Sequence, residues 1–267
     1  MANRTKKFQE NDFGALAPKF NFSDRLKASW IQYNDFTVSE MIRLIRARLS
    51  GFVTEHSAYC ILAQKLLDKP VKTIIDVGAH NGAYARTAKH ILPQAKIFAF
   101  EPTEVYKEIR GKDIRGFNFA LWDKTDQGKF YETFSIDTNR PGCNSSFFRN
   151  KATEKYAKLD DQKIKEVTID RKRFDELDIP IERPCLVKID VEGSEFEVLK
   201  GFGKKLESVD IIQLEYIFEE VYNRNNFIKI LSLLNEYGFG FIQPTIIWYK
   251  NRPSPSDLIF FRQEKVN

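Results

Sequence analysis

The chain has 267 residues, 42% of them hydrophobic and 30% charged, and a formal net charge of +5, as in ordinary globular proteins. This composition excludes a collagen, a low-complexity disordered chain and a coiled coil, and the length allows one large domain or two small ones. Residues 1–50 carry nine Lys or Arg and five Asp or Glu, so most of the positive charge is local. A solvated helix face explains that charge better than a basic patch facing an anionic glycan or membrane, and a nucleic-acid surface would need a denser basic stripe.

The compartment is predicted from cysteines and apolar runs. Cys60, Cys143 and Cys185 are odd in number and lack metal-site spacing, which indicates a reducing compartment without a disulfide framework. No apolar run follows the first residues, and the most apolar long stretch, 230–249, is interrupted by Gly and Pro. We therefore expect a cytoplasmic protein without a signal peptide or transmembrane segment; no oligomeric state is predicted.

Three helices are predicted before residue 71, at 24–33, 37–49 and 55–67. Thr37 and Glu40 have the spacing of a capping box, Gly51 occupies a helix-stop position, and Pro70 ends the third helix. The sequence thus predicts a helical extension over 1–70, followed by a domain over 71–267 that carries the chemistry.

Strands and helices alternate from residue 71 onward. Apolar runs predict strands at 73–77, 96–100 and 117–121, with a helix at 84–92 between the first two and a short helix before the third. This βαβαβ pattern predicts an α/β, doubly wound, mostly parallel sheet with helices on both faces.

The second half of the domain combines a hairpin with further strands. Alternating residues at 129–134 and 166–169 predict the hairpin, and the polar loop 135–165 within it is long enough to be functional. The remaining pattern predicts strands at 186–190 and 210–214, a helix at 226–236, and final strands at 239–243 and 257–262.

A glycine-containing turn follows the first strand. Gly78 and Gly82 allow a ligand close to the backbone, and the next helix offers free N–H groups to a carboxylate. Glu101 ends the second strand, 23 residues after Gly78, and can accept both hydroxyl protons of a ribose. These features predict a site for an adenosine-bearing cofactor.

The same turn distinguishes between cofactors. A dinucleotide site needs Gly-x-Gly-x-x-Gly, but His80 and Ala83 replace its second and third glycines. The negative charge of Asp76 disfavours a pyrophosphate nearby. It suits the ammonium end of an amino-acid group, which Asp76 would contact directly or through water. The site therefore favours S-adenosylmethionine over NAD.

Four motifs carry a family resemblance. They are Ile75-Asp-Val-Gly-Ala-His-Asn-Gly82, Phe100-Glu-Pro102, Asn118-Phe-Ala-Leu121 with Asp123 and Gly128, and Leu186-Val-Lys-Ile-Asp-Val-Glu-Gly193 with Glu195, Leu199 and Gly201. Over about residues 71–262 the chain resembles the FkbM family of S-adenosylmethionine-dependent O-methyltransferases. The resemblance implies a class I methyltransferase (Rossmann-like) fold with seven strands, the last antiparallel, and methylation of hydroxyl groups, often in polysaccharide or natural-product biosynthesis.

The resemblance also implies a cofactor site. In it the methionine part lies against Asp76, Gly78, Asn81 and Gly82, the ribose against Glu101 with Pro102 beside it, and the adenine edge against Ala120 and Leu121. His80 stands where the family commonly has Asn, and we expect it to bind or support the cofactor. The Ser-rich segment Asn144 to Ser146, with Ser145 at its centre, is expected to approach the cofactor or acceptor.

Acidic residues follow the fourth predicted strand. Methyl transfer needs donor and acceptor in line and a base for the hydroxyl proton. Asp190 and Glu192 are the candidates for that base or for orienting the acceptor, with Glu215 a weaker one. Asp190, Glu192 and Glu195 could instead hold a divalent cation, so metal binding by Asp190 stays open, as does a helix-capping role for it. Cys185 is expected to be a packed strand residue, and His56 and His90 surface residues.

The predicted function is O-methylation of a saccharide, glycan precursor or related natural product. A non-sugar acceptor and a noncatalytic, cofactor-binding partner subunit stay open as alternatives. A nucleic-acid methyltransferase is disfavoured, because Asp190-Val-Glu-Gly193 is not the Asn/Asp-Pro-Pro-Tyr/Phe segment that grips a flipped base. A nicotinamide oxidoreductase is disfavoured by the turn described above.

Overall fold

A computed structural model gives the fold of most of the chain. It describes residues 37–52, 54–137, 142, 145–148, 162–216, 225–245, 248–249, 252–253 and 256–262. The helix predicted at 24–33 and Asn144 lie outside the described residues.

Two helices precede the sheet, α1 (Val38–Leu49) and α2 (Thr54–Leu67). The capping box is confirmed, because Glu40 accepts a hydrogen bond from the Thr37 backbone N–H at 2.6 Å and the Thr37 hydroxyl accepts one from the Glu40 N–H at 3.3 Å. Gly51 adopts φ +82 just after α1. Among the residues described, no helix is long and apolar enough to cross a membrane.

The first half of the sheet follows the predicted pattern. Strand β1 (Thr73–Val77) leads to α3 (Ala83–Ile91) and β2 (Lys96–Phe100), and a 3₁₀ turn (Glu104–Glu108) leads to β3 (Ile114–Phe117). All five residues of β1 are buried, because the strand lies inside a parallel sheet with both faces covered.

The strand predicted at 117–121 is wrong in its position. β3 ends at Phe117, and Ala120–Leu121 form a separate short strand, β4, in a second sheet. Asn118 separates the two, because its side-chain amide donates hydrogen bonds to the carbonyls of Glu101, Pro102 and Thr103. These bonds hold Asn118 at the end of β2, and the chain leaves the main sheet there.

A three-stranded second sheet contains the predicted hairpin. Strands β5 (Asp126–Ser135) and β6 (Gln162–Lys172) pair antiparallel over ten residues, and β4 pairs parallel with the end of β6. Both hairpin strands are longer than predicted, since the alternating pattern continues at each end.

The second half completes the main sheet. It contains β7 (Cys185–Ile189), α4 (Glu195–Phe202), a 3₁₀ helix (Gly203–Ser208), β8 (Ile211–Tyr216), α5 (Asn225–Glu236), β9 (Phe239–Thr245), β10 (Trp248–Tyr249), β11 (Arg252–Pro253) and β12 (Ser256–Arg262). The strand order is β3-β2-β1-β7-β8-β12-β9, and β12 is antiparallel to both of its neighbours. The expected class I methyltransferase fold, a mostly parallel seven-stranded sheet preceded by helices, is confirmed.

By compactness the chain divides after Arg46. The described part of the first unit is residues 37–46. In the second unit, which begins at Ala47, α2 packs against α3. The expected limit at residue 70 stays a proposal for where the catalytic fold begins.

Candidate active site

A cavity of about 360 Å³ opens at the carboxyl ends of the central strands. This volume is within the range of about 300–1,000 Å³ that is usual for small-molecule sites, and the position is where doubly wound sheets bind ligands. The cavity is lined by Val77, Gly78, His80, Phe100, Glu101, Pro102, Ala120, Leu121, Phe130, Gly142, Ser145, Phe147, Asp190, Val191, Glu192, Ser194 and Glu215.

The turn after β1 forms one wall of this cavity. Gly78 adopts φ +76, and a Cβ there would lie 1.7 Å from the Asp190 carbonyl oxygen, so only glycine fits. His80 also adopts a left-handed conformation, with φ +47, which is uncommon for a residue with a side chain. The backbone of the turn, without an intervening side chain, therefore packs against the end of β7.

Glu101 is held rigidly at the end of β2. Its Oε2 accepts a hydrogen bond from the His80 N–H at 2.9 Å, and its Oε1 accepts two from Thr103, from the N–H at 2.9 Å and the hydroxyl at 2.6 Å. The residue is 6% exposed and lines the cavity. Because a carboxylate has about four lone-pair sites, each oxygen keeps acceptor capacity for a ribose hydroxyl.

Ser146, which lies between β5 and β6, is held beside the cavity by hydrogen bonds. Its N–H and carbonyl pair with Tyr131, and its hydroxyl donates to the Glu192 carbonyl at 2.7 Å. These contacts place Ser145 and Phe147, on either side of Ser146, in the cavity lining.

The opposite wall is apolar. Ala120 and Leu121 are 7% and 2% exposed, and Phe147 packs against Phe130 and Trp122 with ring centroids 5.0 and 4.3 Å apart. A flat aromatic base fits such a surface better than a charged group does.

Three carboxyl groups meet at the other end of the cavity. One oxygen from each of Asp190, Glu192 and Glu215 lies within 4.8 Å of the other two. The expected grouping with Glu195 is wrong: that side chain is buried, and its Oε1 accepts a hydrogen bond from the Gly193 N–H at 2.8 Å. Glu215, at the end of β8, takes its place. Such a set of oxygen donors fits a hard divalent cation.

Lys188 lies directly behind these acids, and sequence reasoning missed it. Its Nζ donates to Asp190 Oδ2 at 2.8 Å and lies 3.8 Å from Asp76 Oδ1, while its side chain is 7% exposed. The available signal was a charged residue within the otherwise apolar strand Cys185-Leu-Val-Lys-Ile189. Such a lysine is rarely buried without a charged partner.

These contacts set the ionisation of the acids. Burial raises the pKa of Asp190, but Lys188 and the hydrogen bond with Glu215 outweigh it and lower that pKa to about 2. The charge of Asp190, followed by burial, raises the pKa of Glu215 to about 11. The two carboxyl groups are therefore coupled: each shifts the pKa of the other, downward for Asp190 and upward for Glu215.

Asp76 lies beneath the cavity. It is 0% exposed, is not among the lining residues, and neither carboxylate oxygen has a hydrogen-bond partner of normal geometry. Burial raises the pKa of Asp76 to about 6, although Lys188 opposes this shift. Asp76 would reach the ammonium end of a cofactor only through a bridging water or after a side-chain movement.

The structure brings most of the predicted site residues together. Nine of the twelve line the cavity, namely Gly78, His80, Glu101, Pro102, Ala120, Leu121, Ser145, Asp190 and Glu192. Asp76, Asn81 and Gly82 do not line it. The Asn81 side chain accepts a hydrogen bond from the Ala83 N–H at 3.0 Å, and Gly82 lies near Arg86 and Ile109, so both shape the turn and the start of α3.

The histidine predictions are half correct. His90 is exposed as expected, but His56 is not a surface residue: its ring packs edge-on against Tyr84, with centroids 5.2 Å apart. Its Nδ1 is buried without a partner, and burial, followed by Lys188, lowers the pKa of His56 to about 4.

The prediction for Cys185 is confirmed, since this residue is 0% exposed in β7.

Comparison with known protein families identifies this arrangement. The sequence model of the "Methyltransferase FkbM domain" matches residues 76–241, more than half of the chain. The chain belongs to the FkbM methyltransferase family. It is therefore an S-adenosylmethionine-dependent methyltransferase, and the cavity at the strand ends is its candidate active site.

The chain is also similar to individual proteins. The chain is 26% identical over 169 residues to "2-O-methyltransferase NoeI" of Sinorhizobium fredii, covering 59% of this chain and 68% of NoeI. It is 27% identical over 182 residues to "Methyltransferase 1" of Beauveria bassiana, covering 62% and 72%. A crystal structure of magnesium protoporphyrin IX methyltransferase from Synechocystis PCC 6803 is similar at a TM-score of 0.44 and 10% identity, covering 90% and 92%.

Proposed function

We propose that this FkbM methyltransferase transfers the methyl group of S-adenosylmethionine to a hydroxyl group of a saccharide, a glycan precursor or a related natural product. The observation that carries the proposal is a carboxyl group at the cavity wall, Asp190, which accepts a hydrogen bond from the buried ammonium group of Lys188. The name of the relative NoeI, a 2-O-methyltransferase, supports oxygen as the acceptor atom.

The cofactor would lie along the cavity from its apolar wall to its acidic end. Ala120 and Leu121 offer a surface for adenine, Glu101 offers acceptor oxygens for the ribose, and the turn at Gly78 leaves room for the methionine part. His80 and Ser145 line the same space, and Pro102 follows Glu101. We propose Asp76, Asn81 and Gly82 as indirect contributors, which support the turn from beneath or behind it.

The protein's own part in the reaction is to orient the hydroxyl and remove its proton. When bound, S-adenosylmethionine supplies a methyl group on a positively charged sulfur. The acceptor oxygen bonds to the methyl carbon, the carbon–sulfur bond breaks, and Asp190 accepts the hydroxyl proton, with Glu192 beside it to orient the acceptor. A placed base contributes on the order of 10²–10⁴-fold, and alignment about 7–11 kcal/mol.

Two further assignments belong to the proposal. A divalent cation held by the acid cluster is the alternative to a base at Asp190, and loss of turnover after dialysis against EDTA would favour the cation over the base. A cytoplasmic location belongs to the proposal, and it agrees with Cys60 and Cys185, which are buried in the fold and not joined in a disulfide.

Thermal-shift measurements test the cofactor assignment. We expect S-adenosylhomocysteine and S-adenosylmethionine to raise the melting temperature and NAD to leave it unchanged, because the turn lacks the glycines that bind a pyrophosphate. A shift with NAD alone would contradict the proposal.

The variant Asp190→Asn tests the base. Turnover should fall by on the order of 10²–10⁴-fold while the affinity for S-adenosylhomocysteine stays within a few-fold. The matched control is Asp113→Asn, which removes an ion-paired aspartate remote from the cavity. Wild-type turnover by Asp190→Asn would refute the catalytic assignment.

Mass spectrometry of cell glycans with and without the gene identifies the acceptor by its missing methyl group.

A further inference from the structure

A row of buried polar side chains crosses the centre of the sheet, one strand after another. Asp76 on β1 is in register with Lys188 on β7, which is in register with Gln213 on β8. Their exposed fractions are 0%, 6% and 2%. Because paired residues of parallel strands point to the same face, the three side chains lie side by side beneath the helices of that face.

Tyr84, in the first turn of α3, lies over this row. Its hydroxyl donates to Gln213 Oε1 at 3.0 Å, and Lys188 Nζ lies 5.5 Å from its ring centroid. Gln213 in turn donates to Asp257 Oδ1 at 3.1 Å. Tyr84 is thus fixed at both its ring and its hydroxyl, and the lysine that packs against it has little freedom to move.

The position of the ammonium group is asymmetric. It lies 2.8 Å from Asp190 and 3.8 Å from Asp76, so its one short bond joins it to the acid at the cavity wall. Asp190 also faces the carboxyl groups of Glu192 and Glu215 within 4.8 Å. The hydrogen bond with Glu215 and the short bond from the Lys188 ammonium together fix the direction in which the Asp190 carboxylate points, against the charge of Glu192.

We propose that Lys188 is a positioning residue that holds the Asp190 carboxylate toward the acceptor hydroxyl through a buried ion pair anchored by Tyr84. This inference rests on the proposed function, in which Asp190 receives the hydroxyl proton. Lys188 touches neither cofactor nor acceptor and acts only through Asp190.

The variant Lys188→Met measures how much the Lys188 ammonium group contributes to turnover. Turnover should fall about 10- to 100-fold, the size of one charge-assisted hydrogen bond, while the dissociation constant of S-adenosylhomocysteine stays within about three-fold. Lys188→Arg keeps the cation and should recover most of that loss. The control is Lys89→Met, which removes another ion-paired lysine of low exposure, 17%, away from the cavity, and should leave turnover unchanged.

A purely structural role is separated by a second aspartate variant. Lys188→Met leaves the buried charge of Asp76 without its partner, which could itself disturb the fold. The double variant Asp76→Asn/Lys188→Met removes both charges and is compared with Asp76→Asn alone. Turnover that stays at least ten-fold below that of Asp76→Asn supports the inference. Turnover equal to that of Asp76→Asn shows that Lys188 only neutralises Asp76 and overturns it.

The outcomes also separate this inference from the proposed function. If Asp190→Asn turns over normally, the proposed base is wrong and the role of Lys188 falls with it. If Asp190→Asn is impaired while the double variant matches Asp76→Asn, the base stands and only the positioning role is refuted. Should Lys188→Met fail to fold, the double variant and Lys188→Arg still decide between these outcomes.

Discussion

Glu101 shows how a single residue is prepared for a ligand before the ligand arrives. Three hydrogen bonds from His80 and Thr103 hold its carboxyl group, so little side-chain entropy would be lost on binding the proposed ribose. The side chain is nearly buried, and these donors replace hydrogen bonds to water that it loses on burial.

We expect Glu101→Gln to weaken S-adenosylhomocysteine binding about 10- to 100-fold, since an amide replaces one acceptor oxygen with a donor. Isothermal titration calorimetry measures this change. Glu104→Gln is the control, because Glu104 is an exposed glutamate three residues later that pairs with Lys107. Equal affinities of wild type and Glu101→Gln would contradict the ribose assignment.

At the scale of elements, the turn between β1 and α3 and the end of β7 depend on each other. Gly78 approaches the Asp190 carbonyl so closely that a shift of the turn would also displace the end of β7. The Asp190 N–H donates to the Val77 carbonyl at 3.0 Å, and this bond ties the same two elements together. The cofactor wall and the proposed base are therefore positioned by one contact region.

Gly78→Ala should destabilise the protein and reduce cofactor affinity, because the new methyl group would push β7 away from β1. Gly238→Ala is the matched control: its φ of +78 nearly equals the +76 of Gly78, but nothing lies within 4 Å of the added Cβ. The control should lower the free energy of unfolding by about 1–2 kcal/mol because of its backbone conformation alone. Gly78→Ala should lower it clearly more. Urea midpoints measure both, and equal losses would refute the close approach.

At the scale of the whole molecule, buried carboxyl groups make stability depend on pH. Burial raises the pKa of Glu195 to about 7 from its ordinary 4.5, although the Gly193 N–H opposes this shift. Because the folded pKa is the higher one, the folded state binds this proton more tightly than the unfolded state. The stabilisation is complete below about pH 4.5 and is lost as the pH rises through about 7.

Glu195→Gln should therefore be more stable than wild type at pH 8, by up to about 3 kcal/mol, and closer to it at pH 5. Glutamine keeps an oxygen for the Gly193 N–H and carries no charge. Urea unfolding at the two pH values measures the difference. The control Glu182→Gln, at an exposed carboxyl group whose pKa is lowered by Lys96, should show no such gain. A Glu195→Gln variant less stable than wild type at pH 8 would contradict the role of burial.

The sequence by itself determined the order of the elements, the cofactor turn and the family. These features are local: the glycines of the turn, Glu101 at a strand end, and Asp190 with Glu192 two residues later all lie within short motifs. Of the nine predicted site residues that line the cavity, six follow the ends of β1, β2 or β7, and strand ends in a parallel sheet meet at one edge.

Only the tertiary structure decided which side chains act together. Glu195 is closer than Glu215 to Asp190 along the chain, yet α4 buries it while β8 brings Glu215 to the cavity. Lys188 is recognised only when the register places it between Asp76 and Gln213. Such contacts depend on the pairing of distant strands and on which way each strand end turns, and neither follows from the spacing of residues along the chain.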